Sequence, residues 1–157
     1  MPSKSFTIQK LIGREFEQAM IPVLSEMGFR IIDTDSWAYR HKKGVDVIVD
    51  IKGVRCALEF KLDKLSERTQ HVCIDLDSIQ KTTSAIWIFG LPRTPYIDCY
   101  ATKIADLAPF TYQYAKDNPG AVKRVGEFKQ ECVMIPKYIF TRLPFISKFK
   151  TIELQPN

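Results

Sequence analysis

The chain has 157 residues, with 23 Lys plus Arg against 18 Asp plus Glu and a formal net charge of +5, a length that suits one compact domain around one sizeable core. Hydrophobic residues at 45% and charged residues at 26% are those of an ordinary globular chain and exclude a mostly disordered one. No apolar run approaches the ~20 residues of a membrane span, and the polar opening Met1 to Lys10 does not read as a secretory leader, so a cytoplasmic protein is expected.

Ile8, Leu11, Ile12, Phe16, Ala19, Met20, Val23 and Met27 recur at threes and fours, which predicts an amphipathic helix from about Thr7 to Met27. Thr7 is placed to cap its start, Pro22 should kink or break it, and Gly28 ends it. Phe29 to Asp33 and Ser36 to Arg40 read as one strand or two pieces of one, followed by a turn over His41 to Gly44. Val45 to Ile51 and Val54 to Leu62 alternate on either side of Lys52-Gly53, the pattern of a hairpin. Leu65 to Lys81 fits a helix through Leu65, Val72, Leu76 and Ile79. Ala85 to Phe89 reads as a buried strand, Gly90 to Pro95 as a loop, Tyr96 to Ala101 as a strand, and Ile104 to Leu107 as a helical turn stopped before Pro109. Asp117 to Gly120 is a strong turn, and Glu131 to Ile135 and Lys148 to Leu154 are further strands. The resulting core order is helix, three strands, helix, strand, with an appended C-terminal part.

The charge is uneven. Residues 1 to 60 hold nine basic and eight acidic residues, 61 to 100 five of each, and 101 to 157 nine basic against five acidic. In that last stretch Lys123, Arg124, Lys129, Lys137, Arg142, Lys148 and Lys150 interleave with Phe128, Tyr138, Phe140, Phe145 and Phe149. Such a pattern reads either as phosphate contacts with stacking aromatics or as a solvated basic face over core aromatics.

A two-residue loop at Lys52-Gly53 makes Ile51 face Val54 and sets Asp46 directly opposite Glu59. Val45, Val47, Val49 and Ile51 then share an apolar face with Cys56, Leu58, Phe60 and Leu62, while Asp46, Ile48, Asp50, Arg55, Ala57, Glu59 and Lys61 share the other. Asp50 faces Arg55, an ordinary opposite-charge pair. Asp46 and Glu59 are like charges with Cβ atoms ~5 Å apart, which costs stability unless a cation lies between them or one is protonated. A hard divalent ion suits oxygen ligands at this spacing, and magnesium keeps several waters when one or two carboxylates hold it. Lys61, two residues beyond Glu59 on the same face, is near enough to orient or deprotonate a water. A three-residue loop would instead set Asp46 opposite Phe60.

Gly44-Val45-Asp46 followed by Glu59-Phe60-Lys61, thirteen positions after the aspartate, resembles the PD-(D/E)xK nuclease superfamily, with Val45 standing in place of the proline. The element order over residues 7 to 90 is similar to that family's shared core. The resemblance implies an α/β (α+β) restriction endonuclease-like fold. Its core, about residues 7 to 100, would be a central mixed β-sheet flanked by helices, and residues 101 to 157 would form a basic extension for DNA recognition or oligomerisation. It further implies a magnesium-dependent DNA endonuclease, with manganese able to substitute. Asp46, Glu59 and the Phe60 carbonyl would hold the ion and Lys61 would activate water. The family usually adds an acid from its first helix, where Glu15 and Glu17 stand on opposite flanks of the apolar stripe. Gly13 to Glu17 followed by Met27-Gly28-Phe29 resembles the opening of archaeal Holliday-junction resolvases, whose glutamate stands eleven residues before the Gly-Phe pair, which picks Glu17. Gln80 and Lys81 fall where some members carry a further polar residue. DNA is the implied partner, through Lys123, Arg124, Lys148 and Lys150, and one site cuts one strand, so a homodimer or larger closed oligomer is expected. Sequence-specific duplex cleavage, junction resolution and a non-catalytic DNA-binding module are the three readings of function.

Other chemistries find little support. His41 and His71 form no metal-binding repeat, and no Gly-rich phosphate loop or Gly-x-Ser-x-Gly elbow occurs. Cys56, Cys73, Cys99 and Cys132 are separated by 17, 26 and 33 positions, so reduced, buried thiols are expected rather than a zinc knuckle or redox pair.

Overall fold

A computed structural model describes residues 13–33, 44–127 and 129–153. Helix α1 (Gly13–Glu26) leads into β1 (Arg30–Asp33), β2 (Val47–Ile51) and β3 (Val54–Leu62). Next come α2 (Ser66–Thr69), β4 (His71–Asp75), α3 (Leu76–Lys81), β5 (Ile86–Arg93), β6 (Tyr96–Lys103) and α4 (Ile104–Asp117). A 3₁₀ turn (Pro119–Ala121), β7 (Val122–Val125), β8 (Gln130–Pro136), α5 (Lys137–Phe140) and β9 (Ser147–Glu153) complete an α+β fold. Among the described residues no helix is long and apolar enough to cross a membrane. The expected Thr7 cap, the Ser36 to Arg40 strand and most of the His41 to Gly44 turn lie outside the described residues.

Six strands form a curled mixed sheet in the order β1-β2-β3-β5-β6-β9, and β4-β8-β7 form a separate antiparallel sheet. β3 pairs antiparallel with β2 and parallel with β5. The hairpin register is the expected one, Val47 opposite Leu58 through Ile51 opposite Val54. Its turn puts Lys52 at φ 51° and Gly53 at φ 86°, the left-handed pair whose twist suits a two-residue hairpin. Asp50 Oδ1 accepts the Gly53 N–H at 2.7 Å and closes the turn. Although Arg55 lies across from Asp50, the ion pair forms with Arg30 of β1, Nη2 to Oδ2 at 3.1 Å.

The alternation in β2 and β3 divides the molecule into two cores. Phe16, Met20, Val23 and Leu24 of α1 cover one face of the large sheet, packing on Val47, Val49, Leu58, Phe60, Ile88, Ile97 and Cys99. Trp87, Phe89, Leu91 and Tyr100 point to the other face, where Val72, Ile74, Val133 and Ile135 of the small sheet join Leu107 of α4 and Phe140 of α5. The stretch expected as an appended part is therefore woven into the fold: β9 extends the large sheet and β8 builds half of the second core. Pro22 and Pro109 both stay inside helices. Each deprives a carbonyl four residues back, and since Gln18 and Ala105 are exposed, water can satisfy it.

Further expectations are corrected: the strand expected from Val45 begins at Val47, so Asp46 stands just before the ladder. Leu65 to Lys81 is not one helix: Gln70 adopts a left-handed φ of 57°, and His71–Asp75 is a strand burying Val72 and Ile74 against β8. Gly90 to Pro95 is not a loop, because β5 runs to Arg93 and only Thr94-Pro95 turns. The turn at Ile104 continues as α4 to Asp117. β7 is an additional strand.

Gly90 is fixed by a close approach. A Cβ there would lie 2.7 Å from Cε2 and Cζ of Phe16 and 3.1 Å from Cδ1 of Leu62, with Phe16 only 1% exposed. Gly90→Ala is expected to cost about 1–3 kcal/mol through overpacking, read as a lower urea midpoint at unchanged slope.

Candidate active site

The polar side of the hairpin meets the second core at one end of β3. The Asp46 N–H donates to Leu58 O at 2.8 Å, and its carboxylate Oδ2 accepts the Phe60 N–H at 2.7 Å. Asp46 thus takes over a ladder position with its side chain and lies against the Phe60 backbone, whose ring packs edge-on to Phe16 in the first core. Glu59, with a side chain only 13% exposed, is held at both oxygens. Oε1 lies 3.0 Å from Lys61 Nζ, and Oε2 accepts from Thr82 Oγ1 at 3.0 Å. Burial pushes the Glu59 carboxyl upward against the opposing pull of Lys61 and Thr82, and the Asp46 charge adds to the rise.

Trp87, opposite Glu59 in the parallel register, supplies the floor of this cluster. Its ring centroid lies 4.6 Å from Lys61 Nζ, a cation–π interaction that holds the ammonium over an indole only 1% exposed. Its Nε1–H donates to Thr82 Oγ1 at 3.2 Å. Ser84 Oγ and Thr82 Oγ1 both reach Gly44 O, at 2.6 Å and 3.1 Å. Gly44 itself has φ 62°, and a Cβ there would meet Thr82 Oγ1 at 3.0 Å and Glu59 Oε2 at 3.2 Å. Lys61, whose side chain is 29% exposed, also borders a cleft of about 500 Å³ that runs past Lys64 and Leu65.

Asp46, Glu59, Phe60 and Lys61 are therefore brought together. Glu17 sits half-buried on α1, the helix that covers the apolar face, and Glu15 is exposed. Among the described residues no three His, Cys, Asp or Glu side chains converge at metal-ligating spacing, so Glu17 does not complete a three-acid set with Asp46 and Glu59. Gln80 and Lys81 are exposed at the end of α3, and Lys81 pairs with Asp77 at 3.0 Å.

The basic candidates lie on edge strands. Lys123 and Arg124 are exposed on β7, with Arg124 3.8 Å from Glu131. Lys148 and Lys150 are exposed on β9, separated from β3 by β5 and β6, a distance of roughly 15 Å at ordinary strand spacing. Lys148 Nζ lies 3.2 Å from Asp98, which also holds Arg93.

Thr82, Ser84 and Trp87 are the site residues that sequence reasoning missed. The run Thr82-Thr83-Ser84 just past a helix end was the one signal present, since three hydroxyls in a row beside a strand invite backbone and carboxylate partners. No family model, curated protein or solved structure matches the chain.

Proposed function

We propose that the chain is a metal-dependent DNA endonuclease with a restriction endonuclease-like core of the PD-(D/E)xK kind. The observation that carries this reading is that Asp46, bound to the Phe60 N–H, lies beside the Glu59–Lys61 ion pair on a long hairpin strand that pairs in parallel with the next strand of the sheet. The donor set fits a hard divalent cation. Burial raises the Glu59 carboxyl most and the Asp46 charge adds a smaller push in the same direction, and a cation bound by both carboxylates would offset each. Asp46 and Glu59 would hold magnesium with the Phe60 carbonyl, and manganese would substitute through the same oxygen ligands. Bound there, the ion would polarise the scissile phosphate and stabilise charge developing on it. Lys61, fixed between Glu59 and the Trp87 ring, would orient the attacking water and stabilise, as an ammonium, the negative charge that develops as it attacks.

DNA would be gripped by the exposed Lys123, Arg124, Lys148 and Lys150, and cutting of both strands would call for a homodimer. Neutralising Lys123 with Arg124, or Lys148 with Lys150, is expected to flatten the dependence of log affinity on log salt by roughly one unit for each phosphate that is no longer neutralised. Filter binding at several salt concentrations measures it, and the Lys148 share should be the smaller because Asp98 already engages that ammonium.

A non-catalytic DNA-binding module is the second reading, favoured by the fact that Lys61 and Thr82 already satisfy both Glu59 oxygens. Incubation with supercoiled, linear and four-way-junction DNA, with magnesium or with a chelator, separates the readings. Magnesium-dependent cutting of duplex supports the endonuclease, cutting of the junction alone supports a resolvase, and binding without cutting supports the module.

A further inference from the structure

We infer that Thr82 is a positioning residue for the Glu59 carboxylate, with its hydroxyl aimed by Trp87 and Ser84. The inference rests on the endonuclease reading for its consequence in turnover, but the hydrogen-bond geometry stands by itself. A threonine hydroxyl has one hydrogen to give and two lone pairs to offer. Trp87 Nε1–H and the Ser84 N–H both point at Thr82 Oγ1, each at 3.2 Å, and occupy the acceptor side. The single hydroxyl hydrogen is left with two acceptors, Gly44 O at 3.1 Å and Glu59 Oε2 at 3.0 Å. Gly44 O already receives the Ser84 hydroxyl at 2.6 Å, so the stronger unmet demand is that of the charged carboxylate.

The consequence is a carboxylate clamped from both sides. Lys61 takes Oε1 and Thr82 takes Oε2, which fixes the Glu59 carboxylate instead of leaving a three-torsion side chain to sample rotamers. Trp87 serves both clamps, since the same indole carries Lys61 on its ring and feeds Thr82 through its N–H. Gly44 is required beside them, because a Cβ would press on Thr82 Oγ1 and Glu59 Oε2 at once.

The test uses the full chain with Thr82→Ser, which keeps the hydroxyl, and Thr82→Val, which keeps the shape without it. Scalar couplings along the Glu59 side chain report its rotamers directly, and cleavage of supercoiled DNA at saturating magnesium reports turnover. Wild type and Thr82→Ser are expected to show one Glu59 rotamer and Thr82→Val an average, with kcat for Thr82→Val lower by about 10- to 100-fold and KM for DNA unchanged. Should Thr82→Val fail to fold, Trp87→Phe replaces it: loss of the indole N–H loosens the aim of the hydroxyl, and the same averaging is expected. A single Glu59 rotamer in the variant lacking the hydroxyl, or in Trp87→Phe where that stands in, overturns the proposal. If the wild type cuts no DNA, the endonuclease reading fails by itself, while the couplings alone still decide the role of Thr82.

Discussion

Lys61→Met and Glu59→Gln are each expected to reduce magnesium-dependent cleavage by about 10²- to 10⁴-fold while leaving the protein folded. The two substitutions act on one ion pair, Nζ to Oε1 at 3.0 Å, but remove different things. Glu59→Gln keeps the volume and the Thr82 hydrogen bond and takes away the negative charge, so it should weaken metal binding as well as turnover. Lys61→Met keeps an unbranched side chain of similar length and takes the ammonium off the Trp87 ring, so metal binding should survive or improve while the water goes unactivated. Asp46→Asn should behave like Glu59→Gln. It keeps a side-chain oxygen able to accept the Phe60 N–H, so the hairpin register should hold. Asp50→Asn, whose carboxylate serves the turn and Arg30, should leave kcat nearly unchanged. Single-turnover kinetics on supercoiled DNA, with circular dichroism as the folding control, measures all four. Equal damage from Asp50→Asn and Asp46→Asn would contradict the assignment of roles on this face.

A second large effect is expected at Asp98, away from the candidate site. Its side chain is 7% exposed and receives Arg93 Nε at 2.9 Å, Arg93 Nη2 at 3.1 Å, Thr151 Oγ1 at 3.0 Å and Lys148 Nζ at 3.2 Å. The Arg93 hydrogen bonds first, and Lys148 and Thr151 after them, hold its carboxyl at about 2 despite the opposing cost of burial. A carboxyl whose pKa is lower folded than unfolded adds stability above its unfolded value, near 3.8, and that contribution is lost as pH falls toward about 2. Both cationic partners are about half exposed, so the contribution is of order 1–2 kcal/mol rather than the larger value of a fully buried pair. Asp98→Asn should lower stability at neutral pH by that amount and flatten the pH dependence of the urea midpoint below pH 4. It also detaches β9 from β6 at Thr151 and Lys148, so amide protection should fall first along β9.

The hairpin was legible because two constraints agreed. Alternation on both strands and a two-residue turn predicted the register seen from Val47–Leu58 to Ile51–Val54, while Asp46 lies just outside that ladder and meets the Leu58 and Phe60 backbone instead. The segment after it was illegible for a physical reason. Leu65, Val72, Leu76 and Ile79 satisfy helical spacing, while the competing alternation of Val72 and Ile74 spans only five residues. What decides between them is pairing with β8, more than fifty positions later in the chain, which leaves no mark on the local pattern. Gly90 and Pro92 read as breakers, yet β5 tolerates both. Gly90 makes room for Phe16, and Pro92 falls beyond Leu62–Gly90, the last pair with β3, where its missing N–H leaves no ladder position unfilled on that side. The run Thr82-Thr83-Ser84 marks a hydroxyl-rich helix end, but the particular role of Thr82 is not legible locally, because its partners Gly44, Glu59 and Trp87 come from three separate segments that only the folded sheet assembles.

Addition of substoichiometric manganese to the isotopically labelled full chain tests the metal site most directly, because the ion broadens the amide signals nearest to it. Asp46, Phe60 and Lys61 are expected to broaden first in the wild type, magnesium in excess to reverse the effect, and Glu59→Gln to abolish it. Broadening centred elsewhere, or unchanged in Glu59→Gln, would place the metal away from Asp46 and Glu59.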